Sequence, residues 1–269
     1  MFCLIERKGV TLLVSDNIKS KHGFSTRLGG VSTHAHTGSL NLAFGRGDNE
    51  EVVMKNVELF ANAVGFDEKL LISVPQVHSN EVRHVGIDDV GYGVSKKSPF
   101  ECDGYVATEQ GIPIGVKTAD CVPILLEARD DDGNVIAVAA VHAGWRGTAA
   151  RITSVALDKL CSLGAKRENI YVAIGPCIDE CCYEVGEDFT YKIAEKLGQN
   201  YENKYIIKRE NLSLYANLKG MNRAILLESG IPEENIDVCA YCTHCEEKLF
   251  YSHRRQNGLR GSMMSVIVM

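Results

Sequence analysis

The sequence predicts an α+β fold, a single domain of layered, mixed β-sheets flanked by helices. Two observations predict the class. Short apolar or β-branched runs follow one another through the middle of the chain, broken by turn residues, and longer amphipathic patterns flank them. A third sets the domain count: no repeat, low-complexity tract or Pro/Ser/Gly-rich linker divides the 269 residues, so one domain is expected over 1–269.

The opening stretch, "MFCLIERKGVTLLVSDN", mixes acids and bases within its first eight positions and has no long apolar run. It reads neither as a signal peptide nor as a membrane span, and a cytoplasmic location is expected. The glycine-rich "RLGGVSTHAHTGSLNLAFGRGD" (27–48) reads as a binding loop. In "DNEEVVMKNVELFANAVG", Val53, Val57, Phe60 and Val64 share one helical face, with acids at the start and Gly65 at the end. Strands are expected in "LLISVPQVH", "EVRHVGI", "DGYVAT", "IPIGVKT", "CVPILLEA" and "NVIAVAAVHAG", with a hairpin turn at "DDDGN" (130–134). A helix follows in "RGTAARITSVALDKLCSLG", closed by Gly164, then a strand in "ENIYVAIGPCI" and a helix in "SLYANLKGMNRAILLESG". "NIDVCA" and "GSMMSVIVM" read as late strands.

An apolar content of 45% and a charged content of 24% are those of an ordinary globular protein. A net charge of −6 argues against a nucleic-acid or membrane-coating role, while leaving room for a local basic pocket that takes a small phosphate. The ten cysteines are expected to be reduced, and most of them to act as small hydrophobes. Neither a phosphate-binding P-loop, an H-E-x-x-H helix, a G-x-S-x-G elbow nor a dinucleotide fingerprint occurs.

Polar chemistry instead gathers at strand ends. His78 follows the strand of "VPQVHSNEV", Asp120 and Cys121 open the buried run of "TADCVPILL", and His142 ends the strand of "VAAVHAGWRGT". Each alone reads more readily as a core residue. Together, two imidazoles and a thiolate make a donor set for zinc with one position left for water or substrate. Such a zinc acidifies its bound water.

At these residues the chain resembles a known family. "QVHSNEV", "DGYVAT", "GVKTADCVPILL", "AVHAGWRGT", "IGPCIDECCYEVG" and "LFYSHRRQNGLRG", preceded by "GSLNLAFGRGDNEEVVMKN", are similar to the successive motifs of the YfiH/FAMIN-like family, from residue 22 to the C-terminus. That family has been labelled polyphenol oxidase or laccase-domain, and later multifunctional purine nucleoside enzymes. The resemblance implies a layered α+β domain related to a bacterial cytotoxin cysteine hydrolase, and zinc held by His78, Cys121 and His142. It also implies phosphorolysis of purine nucleosides, methylthioadenosine among them, and deamination of adenosine to inosine. The expected partners are therefore purine nucleosides and inorganic phosphate, with the protein a monomer or weak homo-oligomer.

Deamination needs a carboxylate to carry protons; Asp120 is the first candidate and Asp103 the second. Phosphorolysis needs an anion clamp, for which Arg46 in "FGRGD" and Arg146 in "GWRGT" are candidates, with at most one of Arg254 and Arg255 facing the pocket. Asn41, Asp103, Cys242 and Arg255 complete the expected substrate-binding set. Trp145, the single tryptophan, is expected to pack rather than stack on a base.

Two other chemistries compete. A multicopper oxidase needs many histidines; this chain has eight, with one His-x-His pair at His34 and His36, so copper at the His₂Cys set would be adventitious. A cysteine hydrolase would use Cys121 as nucleophile and His142 as base, and some relatives are linked to editing of cell-wall precursors. Finally, "CAYCTHC" (239–245) places Cys239, Cys242 and Cys245 at metal-knuckle spacing, which Cys181-Cys182 or His244 could complete as a structural zinc site. The favoured expectation is instead that Cys242, in the Cys-Thr pair that relatives carry, lines the pocket or packs beneath it.

Overall fold

The computed structural model describes residues 1–269. In chain order the elements are β1 (Phe2–Arg7), β2 (Val10–Ser15), β3 (Lys21–Ser25), α1 (Glu50–Val64), β4 (Val82–His84), β5 (Gly104–Ala107) and β6 (Pro113–Thr118). Then come β7 (Val122–Arg129), β8 (Val135–Ala143), α2 (Trp145–Ala149), α3 (Ile152–Ser162), β9 (Ile170–Ile174), β10 (Glu184–Val185) and α4 (Glu187–Leu197). The chain finishes through α5 (Gln199–Tyr205), β11 (Ile206–Lys208), β12 (Leu214–Ala216), α6 (Leu218–Glu228), β13 (Ile236–Val238) and β14 (Met263–Val268).

Two large sheets form the centre. One is antiparallel, in the order β1-β2-β3-β14-β6. The other is mixed, in the order β13-β9-β7-β8-β5-β4, with parallel pairs at both edges. A small sheet, β10-β12-β11, sits apart. Side chains alternate across each strand and so build three apolar layers. Ile124 and Leu126 of β7, with Val141 of β8, pack beneath α3 and α6. Leu125, Val138 and Ala140 face the first sheet, meeting Phe24, Ile114 and Ile267. The far side of that sheet, through Leu12, Met264 and Val266, packs on Val57, Phe60 and Val64 of α1. With both faces covered, the central strands read as continuous apolar runs, as "CVPILLEA" does.

Helix α1 forms as expected: the Asn49 side chain accepts the Glu51 N–H, and Gly65 closes the helix in the left-handed region at φ 98°. The 130–134 turn also forms, with Asp130 Oδ1 accepting the N–H groups of Asp132 and Asn134. Three expectations are corrected. "LLISVPQVH" is no strand: Ile72 makes one isolated bridge to Ile114, and beyond it the Gln76 side chain satisfies the Lys117 backbone N–H and carbonyl at 2.7 and 2.8 Å. A side chain there takes the place of a ladder partner. The helix expected over 146–164 breaks in two at Arg151, which turns left-handed at φ 56°. The helix expected from Ser213 begins only at Leu218, because Asn217 caps it by accepting the Gly220 N–H while Leu214–Ala216 pair with β11.

Candidate metal centre and its pocket

The β7–β8 pairing sets Pro123 opposite His142 and so brings Cys121, just before β7, beside the end of β8. His78 reaches them from the loop ahead of β4. Cys121 Sγ lies 3.6 Å from His78 Nε2, the two imidazole rings meet edge-on with centroids 4.8 Å apart, and the three donor atoms lie within 4.8 Å of one another. Two residues here take left-handed backbone uncommon outside glycine, His78 at φ 60° and Asp120 at φ 89°. Gly144 is required for space, since a Cβ there would come within 2.6 Å of the His78 ring.

The organiser is Asp103. Fully buried, its carboxylate accepts N–H bonds from Val77, His78 and Ser79 at 3.2, 3.0 and 2.7 Å, the Ser79 hydroxyl at 2.7 Å, and His142 Nδ1 at 2.7 Å. Burial pushes its pKa up, but the His142 and Ser79 hydrogen bonds win and bring it to about 2. One carboxylate therefore folds the His78 loop and orients His142, leaving His142 Nε2 toward the cluster. Burial also opposes the Cys121 thiolate, yet the neighbouring imidazoles pull the thiol down to about 6. For His142, burial is outweighed by Cys121 and Asp103, which raise it to about 9. The donors fit a metal: a thiol poised to ionise, two imidazole nitrogens, and a carboxylate behind one of them. His78, Cys121 and His142 are the residues that would hold it.

The cluster lies in the wall of a cavity of about 1110 Å³ that also exposes Arg46, Lys117 and Arg260. Burial, then Arg46, lowers Lys117 to about 8, and the same two causes lower Arg260 to about 10. Arg260 Nε is buried with no hydrogen-bond partner. Three crowded cations with an unanswered N–H favour an anion.

Several expected residues lie elsewhere. Asp120 is no free proton carrier: its carboxylate accepts bonds from the hydroxyls of Thr243 and Ser252 and from the Arg254 N–H. Asp103 is likewise fully committed. Asn41 is buried beneath the pocket loop, bonded to Ala43, Asp48 and the Ser262 N–H, and shapes the turn that carries Arg46. Arg146 is exposed and lies 4.4 Å from the Trp145 ring, because the five-residue α2 turns Gly147, Thr148 and Ala149 inward and leaves Arg146 outside. Trp145 packs on Phe189. Arg255 donates to the carbonyls of Thr243, His244 and Phe250, Arg254 to that of Glu184, and neither lines the cavity. Cys242 is buried in a separate thiol group. Lys117 and Arg260 were missed; the signal for Lys117 was a charge inside an otherwise apolar strand.

A carboxylate-oriented His₂Cys group beside the end of the β7–β8 pair, open to a cation-lined cavity, has the make-up of an enzyme's candidate metal centre. The chain belongs to the family described as multi-copper polyphenol oxidoreductase laccase, which matches residues 21–269. It is 36% identical over 260 residues to a purine nucleoside phosphorylase of Deinococcus radiodurans, covering 96% of this chain and 93% of that one. It is 32% identical to adenosine deaminase RL5 of an unknown prokaryotic organism, covering 89% and 90%. The crystal structure of the Bacillus licheniformis hypothetical protein YfiH superposes with a TM-score of 0.89 at 30% identity, over 100% and 98% of the two chains.

Proposed function

We propose that the chain is a zinc-dependent purine nucleoside enzyme. It phosphorolyses adenosine, guanosine, inosine and methylthioadenosine to the base and ribose 1-phosphate or its methylthio analogue, and it deaminates adenosine to inosine. The observation that carries this reading is the single cavity shared by the His78–Cys121–His142 group and the Arg46–Lys117–Arg260 cations. The named activities of the relatives agree with it.

In phosphorolysis a phosphate oxygen attacks C1′ as the bond to the base nitrogen breaks, and the base leaves with a proton. Lys117 and the two guanidinium forks bind and orient the phosphate beside C1′. Phe44 and Phe100 give the cavity apolar wall against which a base can pack. Asp103 holds the proton on His142 Nδ1, so that Nε2 stays a donor atom. Zinc, when bound, supplies Lewis acidity and a more acidic water. For deamination the proton carrier falls to Glu50 or Glu101, the carboxylates of the lining, since Asp103 and Asp120 are spoken for.

A second reading rests on one observation. Without metal, Cys121, His142 and Asp103 form a thiol–imidazole–carboxylate relay suited to a cysteine hydrolase. Metal analysis separates the two: stoichiometric metal on Cys121 excludes the free nucleophile. A multicopper oxidase fits less well, because the chain offers one histidine-containing donor group, and His34 and His36 stack on each other in an exposed loop where His36 Nε2 bonds the Arg46 carbonyl. The test is adenosine incubated with and without phosphate and with and without chelator. Base released only with phosphate and metal supports phosphorolysis; inosine supports deamination; no turnover of any nucleoside by metal-loaded protein overturns the proposal.

A further inference from the structure

A second donor group lies outside the cavity. The loop after β9 delivers Cys181 and Cys182, and the loop after β13 delivers Cys242 and Cys245. Their four sulfurs lie within 4.8 Å of one another, with Cys181 and Cys182 at 3.6 and 3.3 Å from Cys245. Zinc–sulfur bonds of about 2.3 Å at tetrahedral angles put sulfurs ~3.8 Å apart, so the group already has nearly the size of a tetrathiolate site. The sulfurs are too far apart for disulfides, whose bond is about 2.05 Å.

We propose that Cys181, Cys182, Cys242 and Cys245 form a second, closed zinc site that staples these two loops together. The backbone is arranged for it independently of the sulfurs. Cys242 pairs with Cys177 in an isolated bridge, the Thr243 N–H donates to the Cys177 carbonyl, and the Cys182 and Tyr183 N–H groups both donate to the Asp179 carbonyl in a tight turn. Arg209 donates to the carbonyls of Glu180 and Cys181, and Arg255 to those of Thr243 and His244. Both turns are thus braced from behind.

The Asp179 N–H points at Cys242 Sγ at 3.4 Å. Backbone N–H groups aimed at sulfur stabilise a thiolate rather than a thiol. Four thiolates within 4.8 Å of one another need a cation between them, and a divalent metal that displaces their protons to solvent supplies it. Cys239, the remaining member of the "CAYCTHC" run, is buried in the core between the sheets and takes no part.

The staple also bears on the first site. Thr243, next to Cys242, donates to Asp120, next to Cys121. The tetrathiolate therefore braces the turn that presents Cys121.

The test is metal content and coordination of full-length protein purified under reducing conditions, for the wild type, Cys121→Ser and Cys245→Ser. The expected result is two zinc ions per wild-type chain and one in each variant. X-ray absorption of Cys121→Ser should show sulfur coordination only. Cobalt(II) loading of the wild type gives a readout that needs no variant to fold: tetrathiolate charge-transfer and d–d bands should appear. One zinc in the wild type and none in Cys121→Ser would overturn the second site and leave the first standing. One zinc in the wild type and one in Cys121→Ser would keep the second site and remove zinc from the first. A mass 2 Da lower under non-reducing conditions, with these thiols unreactive and no cobalt bands, would make the group a disulfide and overturn it.

Discussion

The His78–Cys121–His142 group and the Cys181–Cys182–Cys242–Cys245 group draw on the same metal-binding residue types at opposite extremes. The first stands at two strand ends and one loop, mixes nitrogen with sulfur, has a buried carboxylate behind His142, and opens on a cavity whose lining includes Arg46, Lys117 and Arg260. The second stands on loops, offers sulfur alone, accepts the Asp179 N–H at Cys242 and contributes nothing to the cavity wall. The difference is that between an open site built for substrate and a closed one built for rigidity. Metal-ligand spacing alone does not separate them. What stands behind the ligands, and what space lies in front, does.

Variants that break the open site should have the largest effects. Cys121→Ser should lower kcat/KM for adenosine phosphorolysis by about 10³-fold, the scale of losing preorganised electrostatic stabilisation, while leaving the thiol group's zinc in place. Phosphorolysis assays paired with metal analysis check both halves. Asp103→Asn keeps the size but removes the charge, and should weaken metal binding at the first site by ~10–100-fold; competition with a chelating dye measures it. The same carboxylate contributes a pH signature. Its folded pKa is lowered to about 2, so its stabilising contribution is present above the unfolded value near 4 and is lost as pH falls from there toward 2. Asp103→Asn should flatten that part of the stability curve in acid-unfolding measurements.

Lys117→Met should raise KM for phosphate about 10–100-fold, the worth of one charged hydrogen bond, with KM for the nucleoside little changed. Phosphate affinity of the wild type should fall as pH rises through about 8, where Lys117 loses its proton. The sign for stability is the reverse. Lys117 is depressed in the folded state, so phosphate-free protein should gain stability between pH 8 and the unfolded value near 10.4. Arg146→Ala should be the mildest change, within about twofold in every kinetic constant, as for an exposed side chain away from the site.

Much of this was legible because it was local. The α1 pattern, the apolar central strands and the polar residues at strand ends all follow from short-range periodicity and position. The cations did not follow from such signals. Arg260 and Lys117 meet only because β14 pairs with β6, a contact between segments some 150 residues apart in sequence. Arg146 looked suitable between two glycines, but the facing of a five-residue helix decides its direction. Asp120 and Asp103 sat where a proton carrier belongs, and only their hydrogen-bond partners show them engaged. The cysteine run reads as three thiols that Cys181-Cys182 or His244 could complete; the fold gathers Cys242 and Cys245 with Cys181 and Cys182, and leaves Cys239 in the core.

The central claim is that the cavity joins a metal-organised His₂Cys group to a phosphate site. ³¹P NMR of adenosine turnover in phosphate buffer tests it most directly. The prediction is one ribose 1-phosphate per adenine released, with the rate of both products cut about 10³-fold by Cys121→Ser and sharply reduced by Lys117→Met at limiting phosphate. Adenine released with free ribose, at a rate independent of phosphate, would contradict it.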